Sequence, residues 1–333
     1  MRALITGISG QDGTFLKKIL VRNEYDVFGV LRPTSQMGSN WQNDLTRYLT
    51  NRQPERNIEI DLADPNLCNE YLNLIKPDRI FHLAAEHAPA SEMASAENEK
   101  SQEMYKSHIA LTQNLLEWIK SHTRTRLVVA LTSQMYSPSL LQHKITEKSI
   151  YGPQNLYART KLEGFNLLKK YRQEYGLFAN GMILFNHTSA IAKPTYLFGQ
   201  IARQLVDFKN QERKYITIQN AQQKIDMCDA SEVCEAIYRS IEYDVPQDYV
   251  ISSGRINSIE SIIVEAAQLL QIELSKKNIC SLQKKKKFAY IYGDPTEAFK
   301  HLNWKAQKTP PQILRDIVNS IISNKSELKK KLN

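Results

Sequence analysis

The chain has 333 residues, 42% of them hydrophobic and 24% charged, with 44 Lys and Arg against 35 Asp and Glu. That length and balance allow a sizeable core and exclude a disordered chain, a collagen-like repeat and a small disulfide scaffold. The longest apolar runs, such as Leu127 to Leu131, fall far short of the ~20 residues that cross a bilayer, so no membrane association is expected.

The sequence starts directly with a strand-like run and shows no leader pattern, and a cytoplasmic location is expected. Cys68, Cys228, Cys234 and Cys280 form no C-x-x-C pair, so neither a disulfide framework nor a bound metal is expected. The positive charge is local. Residues 276–333 hold 14 Lys and Arg against 4 Asp and Glu, leaving 30 against 31 in the rest of the chain. The excess sits in Lys276-Lys277, Lys284 to Lys287 and Lys329 to Lys331. Such runs read first as solvated faces, second as a grip on a diphosphate, and last as a nucleic-acid or anionic-membrane patch. Nucleic acid is not expected, because the lysines lack interleaved aromatics, although Phe288, Tyr290 and Tyr292 follow the run.

In chain order, Arg2 to Thr6, Asp26 to Leu31, Asn57 to Ile60, Arg79 to Ala85 and Arg126 to Ser133 read as strands. Between them, Phe15 to Arg22, Asn66 to Ile75 and Glu103 to Lys120 show helical spacing, the last with Leu111, Leu115, Trp118 and Ile119 on one face. This alternation predicts an α/β fold with a doubly wound parallel sheet. Leu156 to Tyr175 reads as a long helix ending at Gly176, and Phe178 to Phe185 as a further buried strand. Beyond residue 186 the pattern loosens. Pro194, Pro246, Pro295 and Pro310-Pro311 punctuate shorter elements, with Ser231 to Glu242 and Ser258 to Leu270 as helices. The expected division is a dinucleotide-binding region over residues 1–186, to which later segments return, and a smaller α/β substrate region mainly over 187–333.

Two motifs carry chemistry. The first strand runs into Gly7-Ile8-Ser9-Gly10-Gln11-Asp12-Gly13, whose three glycines allow a tight turn, approach of backbone N–H groups to a pyrophosphate, and close helix packing. The second strand ends in Leu31-Arg32-Pro33-Thr34-Ser35, where Arg32 favours a 2′-phosphate and hence NADP over NAD. Asp61-Leu62 stands at the end of the third strand, where such folds address adenine. The second motif is Tyr157-Ala158-Arg159-Thr160-Lys161, which puts a phenol and an ammonium on one helix face. The ammonium and the charge of a bound nicotinamide are expected to favour phenolate, so that the pair can exchange a proton with a sugar hydroxyl. Leu131-Thr132-Ser133 supplies hydroxyls for the same substrate oxygen.

Together with Ile183-Leu184-Phe185-Asn186-His187, Gly293-Asp294 and Leu302-Asn303-Trp304-Lys305, these motifs resemble, in order along nearly the whole chain, the extended short-chain dehydrogenase/reductase (epimerase/dehydratase) family, specifically its GDP-mannose 4,6-dehydratases. The resemblance implies a Rossmann domain for NADP and a smaller domain for a GDP-sugar, with a homodimer or homotetramer. It implies catalytic roles for Thr132, Tyr157 and Lys161. Cofactor contacts are implied for Gly7, Gly10, Gln11, Asp12, Gly13, Arg32, Asp61, Leu62, Leu83, Ala84, Ala85, Tyr157, Lys161 and His187, and substrate contacts for Ser133, Asn186, Lys193, Lys224 and Lys284.

The chain also departs from that family. Gln134 stands where the dehydratases have Glu after Thr-Ser, and an amide cannot remove the C5 proton that dehydration requires. Lys284 to Ala289 keeps the charge of the family's Arg-Pro-Thr-Glu-Val-Asp segment without the guanidinium fork. Ile191-Ala192, with Lys193 following, replaces an arginine pair, and Lys224-Ile225-Asp226-Met227 replaces Lys-Arg-Asp-Trp. Either only hydride transfer at C4 remains, as in a 4-ketoreductase or epimerase, or Glu86 or His87 takes over the acid/base role. A cofactor-binding regulatory protein that has lost catalysis is the competing class.

Overall fold

A computed structural model describes residues 1–33, 42, 57–84, 99–140, 143–283 and 290–332. Its centre is a seven-stranded sheet of β1 (Arg2–Thr6), β2 (Asp26–Leu31), β3 (Asn57–Glu59), β4 (Arg79–His82), β5 (Arg126–Thr132), β6 (Ala179–Leu184) and β7 (Tyr249–Ile251). The strands lie in the order β7-β6-β5-β4-β1-β2-β3, all parallel. The order reverses beside β1, which gives the doubly wound Rossmann arrangement and opens a ligand crevice at the C-terminal strand ends.

The strands are apolar on both faces because both are covered. Leu4, Ile80, Leu127, Val129, Leu131 and Ile183 pack on one face with α2 (Pro65–Ile75), α3 (Glu99–Lys120) and α4 (Leu156–Tyr175). Ala3, Ile5, Phe81, Val128, Ala130 and Met182 pack on the other with α1 (Gln11–Arg22) and later helices. Neighbours in sequence thus enter opposite cores, as the two-residue strand period requires.

The segment after β6 first pairs Asn186–Thr188 with Met227–Asp229. It forms α5 (Leu197–Lys209), returns to the sheet through α6 (Ala230–Glu242) and β7, and leaves again as α7 (Ile259–Leu269). After α8 (Thr296–Leu302), α9 (Pro310–Leu332) lies against α5 and α7, and the three share a core of their own, including Phe198, Leu205, Ile262, Ile263, Leu314 and Val318. That third core lies outside the two sheet faces.

Several boundaries differ from the sequence reading. Helix α1 begins at Gln11 rather than Phe15, so the last three residues of the glycine motif are helical. Strand β4 stops at His82 and β5 at Thr132, where the Thr132 side chain accepts the Gln134 N–H and turns the chain into a short 3-10 helix. Pro295 and Pro310, read as punctuating shorter elements, stand at the starts of α8 and α9, positions at which the missing N–H costs nothing.

Candidate active site at the C-terminal strand ends

Gly7 leaves β1 with φ +78°, in the left-handed region, and a Cβ there would stand 2.9 Å from the Ala84 Cα. At Gly13 a Cβ would lie 2.5 Å from the Gly7 carbonyl oxygen, so α1 starts in direct contact with the loop. At Gly10, by contrast, the nearest atom is that same oxygen at 3.3 Å, with open space otherwise. Gly10 is also the N-cap of α1 and provides no side-chain cap, leaving first-turn N–H groups for an anion. This cradle fits a pyrophosphate.

Asp12 in that first turn would oppose an anion, but its Oδ2 lies 2.9 Å from His187 Nε2, while His187 Nδ1 is 2.8 Å from the Phe185 carbonyl. Burial works against the charged imidazole, yet Asp12 and the carbonyl outweigh it and raise His187 to about 9. The same partner holds the Asp12 carboxyl below its ordinary value despite burial. Beside it, Ser189 Oγ donates to Gln11 Oε1 at 2.8 Å. Gln11, Asp12 and His187 therefore form a clamp between α1 and the chain after β6.

Under the loop lies a group that sequence reasoning missed. The buried His82 has Nδ1 2.8 Å from Thr6 Oγ1 and Nε2 3.1 Å from Thr112 Oγ1. Thr6 Oγ1 accepts the Ala84 N–H, and Thr112 Oγ1 donates to the His108 carbonyl. These directions leave Thr6 to donate and Thr112 to accept, which assigns His82 the neutral Nε2–H tautomer. Burial, with Lys161 and His108 nearby, holds its pKa well below the usual imidazole range. The network fixes Leu83 and Ala84 beside Gly7; Leu83 also donates its N–H to the Thr6 carbonyl. A histidine in an otherwise apolar strand was the available signal.

The tyrosine motif lies in the first turns of α4. Thr132 is close enough to the Tyr157 phenol to lower its pKa, and the charge of Asp12 also acts on it, so the two motifs meet at one end of the sheet. Lys161 is buried and donates from Nζ to the Ala130 carbonyl of β5 at 2.7 Å. Burial pushes the Tyr157 phenol up to about 12, against the effect of Thr132, and pulls the Lys161 ammonium down to about 8. Tyr196, just before α5, is a further neighbour of the phenol that went unread.

Gln134 places its side-chain Oε1 3.0 Å from Asn155 Nδ2, and Asn155 is the N-cap of α4, accepting the Ala158 N–H at 2.8 Å. Asn155 before a helical run was a legible cap signal. Ser133 is buried beside Thr132. Asn186 is exposed and donates to the Asp226 carbonyl at 3.1 Å. Lys193 is exposed, and so is Lys224, whose Nζ sits 5.2 Å from the Tyr290 ring centroid. Arg32 is exposed directly after β2. Asp61 accepts the Ala63 N–H on its own loop, and Leu62 is buried, its side chain in the core and its carbonyl accepting from Asn114. Ala85, Glu86, His87 and Lys284 lie outside the described residues. Among the described residues no cluster of His, Cys, Asp or Glu is arranged to hold a metal, and no helix is long and apolar enough to cross a membrane.

The profile of the GDP-mannose 4,6 dehydratase family matches residues 4–317. The chain is similar to the GDP-mannose 4,6 dehydratase of Drosophila melanogaster, with 25% identity over 346 residues covering 96% of this chain and 86% of that one. Its fold is similar to dTDP-glucose 4,6-dehydratase from Bacillus anthracis in complex with NAD, at 17% identity, TM-score 0.77 and 98% coverage of both chains. It is also similar to RMD from Pseudomonas aeruginosa complexed with NADPH, at 20% identity and TM-score 0.74 over 97% of this chain and 98% of that one. The chain belongs to the GDP-mannose 4,6-dehydratase family of extended short-chain dehydrogenase/reductase enzymes.

Proposed function

We propose that the protein modifies a nucleotide sugar, GDP-linked, by redox chemistry at C4 of the hexose with NADP as coenzyme, NAD being less favoured. The observation that carries this reading is the meeting of Thr132 and Tyr157 at the strand end that also carries the uncapped glycine cradle. The residues suited to hold the dinucleotide are Gly7, Gly10 and Gly13 with the first turn of α1, Leu83 and Ala84 beside Gly7, Asp61 and Leu62, and Arg32 for a 2′-phosphate. When bound, the coenzyme supplies the acceptor or donor of hydride.

The chain's own part is proton transfer and orientation. Tyr157 takes a proton from the C4 hydroxyl, or returns one, at its phenolic oxygen. Thr132 orients the same sugar oxygen, since it already acts on the phenol. Lys161, anchored on Ala130, carries its charge at the base of the site. A phenol pushed up to about 12 is a proton donor at rest, and a positive charge brought close to it favours the ionised form. Ser133, Asn186, Lys193, Lys224 and Lys284 are proposed to face the sugar nucleotide. We assign residues 1–186 mainly to the coenzyme and 187–333 mainly to the substrate, a division supported by the separate core of α5, α7 and α9.

Gln134 favours a second reading within the same chemistry, in which the reaction stops at C4, as in a 4-ketoreductase or epimerase. Its amide is engaged with Asn155 and has no basic atom for the C5 proton. The intact set of Thr132, Tyr157 and Lys161 weighs against a purely regulatory protein. A homodimer or homotetramer in the cytoplasm, serving deoxysugar and polysaccharide synthesis, completes the proposal, with free cysteines suited to a reducing compartment.

The test is incubation of the purified protein with GDP-, CDP- and UDP-sugars, with co-purified coenzyme identified by mass spectrometry. NADP and a keto or epimerised GDP-hexose are expected. A 4-keto-6-deoxy product from GDP-mannose would overturn the restriction to C4, and absence of turnover across the panel would overturn the enzymatic reading.

A further inference from the structure

We infer that Gln134 is a positioning residue that locks the start of α4 against the end of β5, so that Tyr157 and Thr132 meet in one fixed geometry. The inference rests on the redox reading above and adds a role for a residue that cannot carry a proton in it.

The argument runs through hydrogen-bond direction. Asn155 commits its Oδ1 to the Ala158 N–H at 2.8 Å, capping α4 one residue beyond Tyr157. That fixes the amide, so Nδ2 points outward and needs an acceptor. Gln134 Oε1 is that acceptor at 3.0 Å, which fixes the Gln134 amide in turn. At its other end, Gln134 donates its backbone N–H to Thr132 Oγ1 at 3.3 Å. Thr132 Oγ1 then has its own proton left to donate, and the phenol it acts on is that of Tyr157. One residue thus orients the hydroxyl from the β5 side and the helix cap from the α4 side. The backbone already joins the two sides, with the Gly152 N–H on the Met135 carbonyl at 2.9 Å and the Ser137 N–H on the Ile150 carbonyl at 3.1 Å, and Gln134 adds the side-chain link at the cap itself.

A carboxylate at position 134 would accept the same Asn155 proton. The exchange of Glu for Gln relative to the dehydratases therefore keeps the clamp while removing the base, and the two roles of this position are separable.

The experiment compares Gln134→Glu, Gln134→Ala and Gln134→Lys, the last being of similar reach but able only to donate. For each, kcat and KM of the C4 redox reaction are measured, together with amide hydrogen exchange at Ala158 in the substrate-free protein. Gln134→Ala and Gln134→Lys are expected to lower kcat on the order of 10- to 100-fold with KM for sugar and coenzyme within about twofold, and to speed exchange at Ala158. Gln134→Glu is expected to keep both near wild type. Unchanged kcat and exchange in Gln134→Ala, or a Gln134→Glu variant as impaired as Gln134→Ala, would overturn the clamp. If wild type oxidises or reduces no sugar, the functional reading fails, and exchange at Ala158 alone decides the clamp.

Discussion

The glycine-loop region and the tyrosine helix share one end of the sheet and handle charge in opposite ways. Around the loop, the carboxylate of Asp12 faces His187, and His82 sits neutral between two threonine hydroxyls. On α4, burial pushes Tyr157 up to about 12 and pulls Lys161 down to about 8, and the ammonium donates to the Ala130 carbonyl. The first region is electrostatically settled and suited to hold a fixed shape. In the second, the ionised form of each group is disfavoured, as expected where protons are to move.

The largest expected effect comes from removing the phenol. Tyr157→Phe should cut turnover on the order of 10²- to 10⁴-fold while coenzyme affinity, by titration calorimetry, stays within about twofold. Retained turnover would break the contrast, leaving the buried phenol a structural group.

Next in size is stability. The folded-state pKa of Lys161 is depressed from 10.5 to about 8, so below pH 8 the native state bears the full cost of a buried cation. Between about 8 and 10.5 the unfolded chain binds more protons, and stability from this group rises with pH. Lys161→Met should therefore stabilise the protein at neutral pH, on the order of 1–3 kcal/mol in urea unfolding, and lose activity with it. A destabilised Lys161→Met would mean that the Ala130 hydrogen bond outweighs desolvation.

The smallest effect sharpens the other side. His187, raised to about 9, contributes stability that is fully present below about 6.5 and lost as pH climbs through 9; Asp12, depressed, contributes above its ordinary value and loses it in acid. Asp12→Asn should leave burial as the dominant influence and drop His187 below its ordinary imidazole value, read by NMR titration of the ring. An unshifted His187 would show that the loop region owes its settled charge to something other than this pair.

Much of the architecture was legible because it is local. Strand β1, strand β2 and helix α4 keep the boundaries that their hydrophobic periods indicated. The glycine and tyrosine motifs were legible for the same reason, since three- and four-residue spacings place their groups whatever the rest of the chain does. Helices α5, α8 and α9 went unread: α5 and α9 do carry apolar stripes, Phe198, Ile201, Leu205 and Ile313, Leu314, Ile317, Val318, whereas α8 has only seven residues, and all three are held by packing on distant elements.

The sequence by itself determined the alternating parallel-sheet plan, the cradle at the first turn and the helix that carries Tyr157 and Lys161. Only the tertiary structure decided how those groups are charged and held. The partners that set this are far apart along the chain: Asp12 with His187 across 175 residues, Thr6 with His82 across 76, Gln134 with Asn155 across 21. The sign of the Tyr157 shift follows from burial outweighing a neighbour, and burial belongs to the whole fold.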